Sequence, residues 1–234
     1  MPQAPGKEVE PLAVSAYAGI ALVAALARVL WWLAGVRFDA EPLFVYWQFL
    51  DPVQLAASPF EALLNLHSQP PALNALAAVA LALPWPPARV LLAALFVAAG
   101  IAANVATFHV ARAWSGRTWL ALVVLLLCLA SPGAILFENL LFTTQPVLVS
   151  LVLALVALER LLSTGRLRWY AVFGGLLLLV TSTRSMYGAG WMAAGLAAPF
   201  VALPRRRPAV VLGFALLGAS LLWPLKNGLL FGVW

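Results

Sequence analysis

The stretch LAVSAYAGIALVAALARVLWWLA, residues 12–34, decides the fold class of this chain. Its single charged residue is Arg28, and it is long enough for a transmembrane helix, which needs about 20 mainly apolar residues. Similar apolar runs cover residues 88–111, 118–136, 146–161, 169–183, 188–203 and 208–224. We therefore predict an all-α, polytopic transmembrane helix bundle of about seven spans, formed by residues 1–234 as a single transmembrane domain.

The composition excludes the common soluble classes. Hydrophobic residues make up 64% of the chain and charged residues 9%, against about 25% charged residues in soluble domains. The one cysteine, Cys128, forms neither an intrachain disulfide nor a metal site by itself. The net charge of +6 comes from basic residues scattered between apolar runs, without the basic stripe of a nucleic-acid binder. We expect the lipid bilayer as a partner and no nucleic acid.

The apolar run at residues 72–83 tests the topology. Its length gives about 18 Å of helix against a hydrocarbon core of about 30 Å. If the run does not cross, the basic clusters at 112–117, 160–168 and 205–207 share the side of the N-terminus, as the positive-inside rule requires. We therefore expect an interfacial helix at 72–83, a cytoplasmic N-terminus and an active face outside, in a bacterial inner membrane.

The connection between the first two spans, residues 35–87, forms a long outer loop. Connections of this length in compact domains are usually functional or disordered. This one is rich in aromatic residues, which argues for order. We predict juxtamembrane helices at 41–50 and 58–66, packed against the membrane.

Two sets of polar residues in this loop suit chemistry. Asp39 and Glu41 directly follow the first span, where a carboxylate can act as a general base or bind a divalent cation. The alternative is a solvated turn that pairs with Arg37. His67 and Gln69 precede two prolines, where a histidine can relay protons or hydrogen-bond a phosphate. The alternative is a helix-entry turn with satisfied side chains.

Two further polar clusters lie at the predicted outer ends of later spans. Glu138 comes before Thr143, Thr144 and Gln145, and an ionisable group at this depth usually faces a cavity or a partner. Arg184 ends a polar run, and its guanidinium suits a lipid phosphate or a carboxylate. The alternative for Arg184 is an arginine that snorkels to the interface. Polar clusters on the outer side favour an enzyme over a transporter, which places polar segments near the midplane.

The sequence resembles the GT-C superfamily of polyprenyl-phosphate-sugar-dependent glycosyltransferases, in particular its protein O-mannosyltransferase-like branch. The resemblance rests on FDAE at 38–41, HSQPPALN at 67–74, Arg89, SP at 131–132, ENLLFTTQP at 138–146 and TR at 183–184. The predicted seven spans are similar to the N-terminal module that the family shares. Relatives continue with further spans, whereas this sequence ends at Trp234, so we expect a catalytic module of such an enzyme.

The resemblance implies an inverting sugar transfer with an outer-loop carboxylate as base. Asp39 is the best match for that base, with Glu41 beside it and Asp51 as runner-up. The Asp-x-Glu spacing differs from the adjacent Asp-Glu of many relatives. The resemblance also implies substrate-binding side chains, and these are His67, Gln69, Glu138 and Arg184. The implied partners are a polyprenyl-phosphate-linked sugar and an acceptor, with a divalent cation as the only candidate cofactor.

A second hypothesis from a different class stays open. The chain is then a non-catalytic protein that binds a lipid carrier, or a flippase-like transporter. The two hypotheses differ in what they require of Asp39 and Glu41. An enzyme needs one of these carboxylates beside an outward-facing cavity that Arg184 also reaches.

Overall fold

The helices of the chain follow the apolar runs of the sequence closely. The computed structural model describes residues 13–203 and 206–232, so the predicted first residue of the first span, Leu12, and Arg205 of the last basic cluster lie outside it. The α-helices are α1 Val14–Leu33, α2 Pro42–Val45, α3 Pro52–Ala57, α4 Pro59–Asn65, α5 Ala72–Leu81, α6 Pro87–Ser115, α7 Thr118–Ala130, α8 Pro132–Glu138, α9 Thr144–Thr164, α10 Leu167–Thr183, α11 Ala189–Ala197 and α12 Arg206–Phe231. A 3₁₀ turn, Ala198–Ala202, follows α11. The described residues contain no β-strand, which confirms the all-α class.

Four helices are long and apolar enough to cross a membrane, namely α1, α6, α9 and α12. Helices α7 and α8 together make a fifth candidate, bent by 61°. Helix α10 has 17 residues and α11 has 9, which is short for a span of about 20 residues. The fold is compatible with a helical membrane bundle of four or five long spans, where the sequence predicted about seven.

Large apolar side chains are exposed on the surfaces of the long helices. On α1 the exposed fraction is 65% for Leu30 and 66% for Leu33, and on α12 it is 70% for Phe214. A soluble protein rarely exposes contiguous apolar surface of this extent. These surfaces suit contact with lipid, in agreement with an integral membrane protein.

The bend between α7 and α8 has a local cause. The sequence predicted one span over 118–136, but Pro132 lacks a backbone N–H and cannot continue the helix from α7. Pro132 instead takes the first position of α8, and the Ser131 hydroxyl accepts a hydrogen bond from the Ala134 N–H at 3.4 Å. Helix α8 therefore turns away from α7 and ends at Glu138.

Helix α6 lies at the centre of the bundle. It packs against α1, α7 and α9, while α9 packs along α10, and α10 also contacts α11 and α12. One face of α6 is buried through Leu92, Phe96, Gly100 and Ala103. This face meets both the long spans and the segment between α1 and α6.

The segment of residues 35–87 is ordered, as predicted, and it shares a hydrophobic core with α6 and Leu141. Core residues are Phe38, Leu43, Leu55, Leu73, Ala77, Leu92, Phe96 and Leu141. Helix α5 has 10 residues, of which Leu73, Asn74, Ala77, Ala78 and Ala80 are buried. It packs against α3, α4, α6 and α10. The predicted run at 72–83 therefore forms a short helix held within the fold.

The short helices of this segment differ from the prediction in two places. The predicted helix at 58–66 is present as α4, whereas 41–50 holds only the four-residue α2. An additional helix, α3, begins at Pro52, and the Asp51 carboxylate caps it by accepting from the Val53 N–H at 2.8 Å. Proline at the first helical position favours a new helix start, which divides the segment into short helices.

Candidate functional site

The backbone of Asp39 is fixed by a segment distant in sequence. Its N–H donates to the Asn139 carbonyl at 2.7 Å, and its carbonyl accepts from the Leu141 N–H at 2.9 Å. These bonds form an isolated parallel bridge between Asp39 and Leu140. The Arg89 guanidinium donates to the carbonyl of the preceding residue, Phe38, at 2.7 Å. Asp39 therefore has a defined backbone position where residues 139–141 follow α8.

The side chains of Asp39 and Glu41 are both exposed. Oδ1 of Asp39 accepts a hydrogen bond from the Glu41 N–H at 2.8 Å, which stabilises the turn into α2. The expected alternative, pairing with Arg37, is not observed. Arg37 donates instead to the carbonyls of Trp32 and Val36, and its guanidinium stacks on the Trp32 ring at 4.6 Å. The two carboxylates therefore remain accessible from solvent.

A cavity of about 580 Å³ lies between α4, the end of α10 and α12, and we call it the α4–α12 cavity. Its described wall is mostly apolar and also carries hydroxyl groups and the ammonium group of Lys226. The lining residues are Phe60, Leu63, Leu64, Pro70, Pro71, Thr181, Ser182, Ser185, Tyr187, Gly188, Ala189, Ala219, Ser220, Leu222, Trp223, Pro224 and Lys226. This volume and chemistry are typical of a small-molecule site, about 300–1,000 Å³ in size.

Among the described residues of the cavity wall, Lys226 is the only charged one. Its ammonium group donates to the Leu64 carbonyl at 2.9 Å and to the Leu66 carbonyl. It also lies 3.8 Å from the centre of the Trp223 ring, in a cation–π contact. The next residue, Asn227, donates to the His67 carbonyl at 3.1 Å. The end of α12 is therefore attached to the backbone of residues 64–67.

His67 and Gln69 lie next to this cavity in sequence but do not line it. The His67 side chain is exposed, and its ring contacts the Phe231 ring at a centroid distance of 4.9 Å. Gln69 is half-buried. The two residues that follow, Pro70 and Pro71, form part of the wall.

Arg184 is similarly placed beside the cavity. It is half-buried at the end of α10, and the cavity wall includes its neighbours Ser182 and Ser185. Asp39, Glu41 and Arg184 are all absent from the wall, so this cavity lacks the arrangement that we expect of an enzyme, a carboxylate and Arg184 at one site. The structure thus brings together three distant segments at 60–71, 181–189 and 219–226, while the Asp39 bridge lies outside this set.

Glu138 is buried and fully paired. Arg28 donates to Glu138 through Nε at 2.8 Å and Nη2 at 2.5 Å, and through Nη1 to the Ala24 carbonyl at 2.9 Å. Both carboxylate oxygens of Glu138 therefore contact the guanidinium. Arg28 faces the bundle and does not snorkel outward.

His109 belongs to a separate network between α1, α6 and α9. Its Nδ1 lies 2.7 Å from the Tyr17 hydroxyl, and its Nε2 lies 3.3 Å from a carboxylate oxygen of Glu159. Arg160 Nε is 3.4 Å from the same oxygen. These contacts join three helices.

The contacts that close the cavity are not visible in the local sequence. Lys226 appears in the sequence as an isolated cation after an apolar run, and nothing local marks its contact with residues 64–67 about 160 positions away. Within the described residues, no group of three or more His, Cys, Asp or Glu side chains could hold a metal ion. No family model, curated protein or solved structure matches the chain.

Proposed function

We propose that this protein is a membrane glycosyltransferase of the GT-C type. It transfers a sugar from a polyprenyl-phosphate donor to an acceptor at the extracytoplasmic face of a bacterial inner membrane. The observation that carries the proposal is the α4–α12 cavity, whose wall unites Pro70 and Pro71 with the polar run that precedes and follows Arg184. Pro70 and Pro71 belong to the HSQPPALN motif that resembles the superfamily, and the polar run flanks its TR motif at 183–184.

The chemistry of the cavity supports a lipid-linked donor. Phe60, Leu63 and Leu222 provide apolar surface for an isoprenoid chain, which gains about 25 cal/mol for each Å² removed from water. Ser182, Ser185 and Tyr187 carry hydroxyl groups that can donate hydrogen bonds to phosphate oxygens. In this proposal the phosphate lies near those hydroxyls, and Arg184 adds positive charge beside them.

Asp39 is the proposed base. Its exposed carboxylate removes the proton from an acceptor hydroxyl, and the resulting oxygen attacks the anomeric carbon of the sugar. The bond from that carbon to the phosphate oxygen breaks, and polyprenyl phosphate leaves, so the configuration inverts. The proposal requires the donor sugar to extend from the cavity to Asp39, with Glu41 beside it.

We also propose that the shorter helices complete seven spans. Helix α10 gives about 26 Å of helix, and α11 with its 3₁₀ turn about 24 Å, which a locally thinned bilayer can accommodate. This topology leaves Arg112, Arg160 and Arg206 on one side, together with the N-terminus. The positive-inside rule then makes that side cytoplasmic.

One observation favours the second hypothesis, a non-catalytic protein that binds a lipid carrier, or a flippase-like transporter. Neither Asp39 nor Glu41 lines the α4–α12 cavity. A protein that only binds or moves the lipid needs the cavity but does not need these carboxylates. The two hypotheses therefore make opposite predictions for a variant at Asp39.

The test uses the purified full chain in proteoliposomes, with a panel of polyprenyl-phosphate-linked hexoses as donors and a cell-envelope extract as the source of acceptor hydroxyls. Any lipid-linked sugar that co-purifies is first identified by mass spectrometry and guides the choice of hexose. We expect Asp39→Asn to abolish release of polyprenyl phosphate while donor binding persists. Glu61→Gln is the matched control, because it neutralises an exposed carboxylate of the same segment that has no proposed role in the chemistry, and it should keep activity.

Full activity of Asp39→Asn would exclude Asp39 as the base. Donor binding without turnover by the wild type, unchanged in Asp39→Asn, would favour the carrier-binding hypothesis. Loss of donor binding in the Asp39 variant would also contradict the proposed role, because a general base acts on the acceptor.

A further inference from the structure

We infer that Arg28, Glu138 and Gly100 together position Asp39, and that none of the three binds substrate. This inference rests on the proposed function of Asp39 as a base. The three residues come from α1, α8 and α6, and they meet at one buried point. The geometry of that point is transmitted to Asp39 through residues 139–141.

The Arg28–Glu138 ion pair is shielded from solvent on both sides. The side-chain exposure is 8% for Arg28 and 4% for Glu138. The pair is bidentate, and the third guanidinium nitrogen, Nη1, donates to the Ala24 carbonyl. The Trp31 ring covers the guanidinium at 4.8 Å. A substrate would have to displace these contacts to reach Glu138, so the pair suits a structural constraint.

Gly100 provides the space for this ion pair on α6. A Cβ atom at this position would overlap the Glu138 carboxylate and lie 2.9 Å from Nη2 of Arg28. Any other residue at position 100 would push the pair off the surface of α6. The absence of a side chain therefore lets α1 and α8 approach α6 at this depth.

The residues that follow Glu138 in the chain contact the backbone of Asp39. Glu138 ends α8, and the next three residues include both hydrogen-bond partners of the Asp39 backbone, Asn139 and Leu141. Leu141 is fully buried in the core of the 35–87 segment. A shift of Glu138 therefore moves the bridge that fixes Asp39.

Stability alone is a poor explanation for such a pair. Replacing a buried ion pair by apolar residues of similar volume is often neutral or stabilising, whereas removing one partner leaves an unpaired charge. Buried ionic groups can instead specify which elements lie in register. At this site the register that matters is that of residues 139–141 with Asp39.

The first test measures the bridge directly and needs no activity. Cysteines at Asp39 and Leu140, in a Cys128→Ser background, are joined by a short bifunctional maleimide. The double variant Arg28→Met with Glu138→Leu removes both charges without leaving either unpaired. We expect crosslinking at 39 and 140 to fall severalfold in this double variant.

The matched control pair has cysteines at Phe44 and Trp85, whose rings are 5.2 Å apart within the 35–87 segment. We expect this crosslink to be unchanged by the double variant. Unchanged crosslinking of both pairs would overturn the inference. Loss of both would also overturn it, because the ion pair would then serve the folding of the whole segment.

The second test applies once sugar transfer is measurable. With Asp39 native, we expect Arg28→Met with Glu138→Leu to lower kcat by about 10- to 100-fold, as for a displaced catalytic group, with KM unchanged. A raised KM with unchanged kcat would instead identify Glu138 as a substrate ligand. If the wild type shows no transfer, the proposed function fails, while the crosslinks still decide whether the ion pair positions Asp39.

Discussion

At the residue scale, the buried amide of Asn74 connects two parts of the 35–87 segment. Its oxygen accepts from the Leu50 N–H at 2.8 Å, and its nitrogen donates to the Gln48 carbonyl at 3.0 Å. Only 1% of the residue is exposed. The chain between α2 and α3 satisfies its backbone groups partly through this one side chain on α5.

Asn74→Ala should therefore lower the free energy of unfolding by about 1–2 kcal/mol, because it leaves the partly buried Leu50 N–H and Gln48 carbonyl without their side-chain partner. Asn65→Ala is the matched control, since Asn65 is exposed at the end of α4. The control should change stability by less than about 0.5 kcal/mol. Unfolding in detergent at constant protein concentration measures both, and equal effects would contradict the bridging role of Asn74.

Two glycines in helices give a sharper comparison. Gly100 faces the Arg28–Glu138 pair, whereas a Cβ added to Gly175 in α10 would meet nothing within 4 Å. Alanine in place of a helical glycine normally gains about 0.5–1 kcal/mol. We expect that gain for Gly175→Ala and a loss of about 1–3 kcal/mol for Gly100→Ala, from overpacking. Thermal unfolding of both variants checks the difference in sign.

The sequence shows which residues at these sites need a partner, but it does not show which residues those partners are. Arg28 in an apolar run and Glu138 at the end of another are each visible as ionisable groups at membrane depth, which need a partner. Their pairing spans 110 positions and depends on the bend at Pro132, which the apolar pattern does not show. The same holds for Asp39. Its position as an acidic residue directly after the first span is visible in the local sequence, whereas its backbone bridge to Leu140 is not.

At the element scale, the clearest addition to the prediction is the attachment of α12 to residues 64–67. Lys226 makes this contact through a charged donor, and such hydrogen bonds contribute about 1.5–3 kcal/mol. Apolar periodicity predicts α12 itself but carries no information on where its end lies. The contact closes one side of the α4–α12 cavity.

Lys226→Met should release this end of α12. We expect faster amide hydrogen exchange at Leu66, whose N–H bonds to Ala62 at the end of α4, and a free energy of unfolding lower by about 1.5–3 kcal/mol. Arg207→Met is the matched control, because it removes an exposed cation from the other end of α12. Equal exchange at Leu66 in both variants would show that Lys226 does not hold this contact.

At the scale of the whole molecule, the apolar pattern predicts the all-helical class and the order of the long helices. The same apolar pattern determines the number of spans less well. The pattern gives runs at 169–183 and 188–203, but the helices there have 17 and 9 residues. Gly188 is the N-cap of the second of these helices, and a 3₁₀ turn follows it at Ala198–Ala202. The apolar run is therefore longer than the α-helix that it forms.

The proposed seven-span topology makes a specific prediction for the two sides of α10. Ser163 near the end of α9 and Met186 beyond α10 are both exposed. If α10 crosses the membrane, single cysteines at these positions in a Cys128→Ser background must react from opposite sides.

We expect a membrane-impermeant maleimide to label Met186→Cys in intact cells and Ser163→Cys only after lysis. A cysteine at Glu61, exposed in α4, should be labelled in intact cells as the reference for the 35–87 segment. Labelling of Ser163 and Met186 under the same condition would show that α10 does not cross, and would reduce the bundle to its long helices.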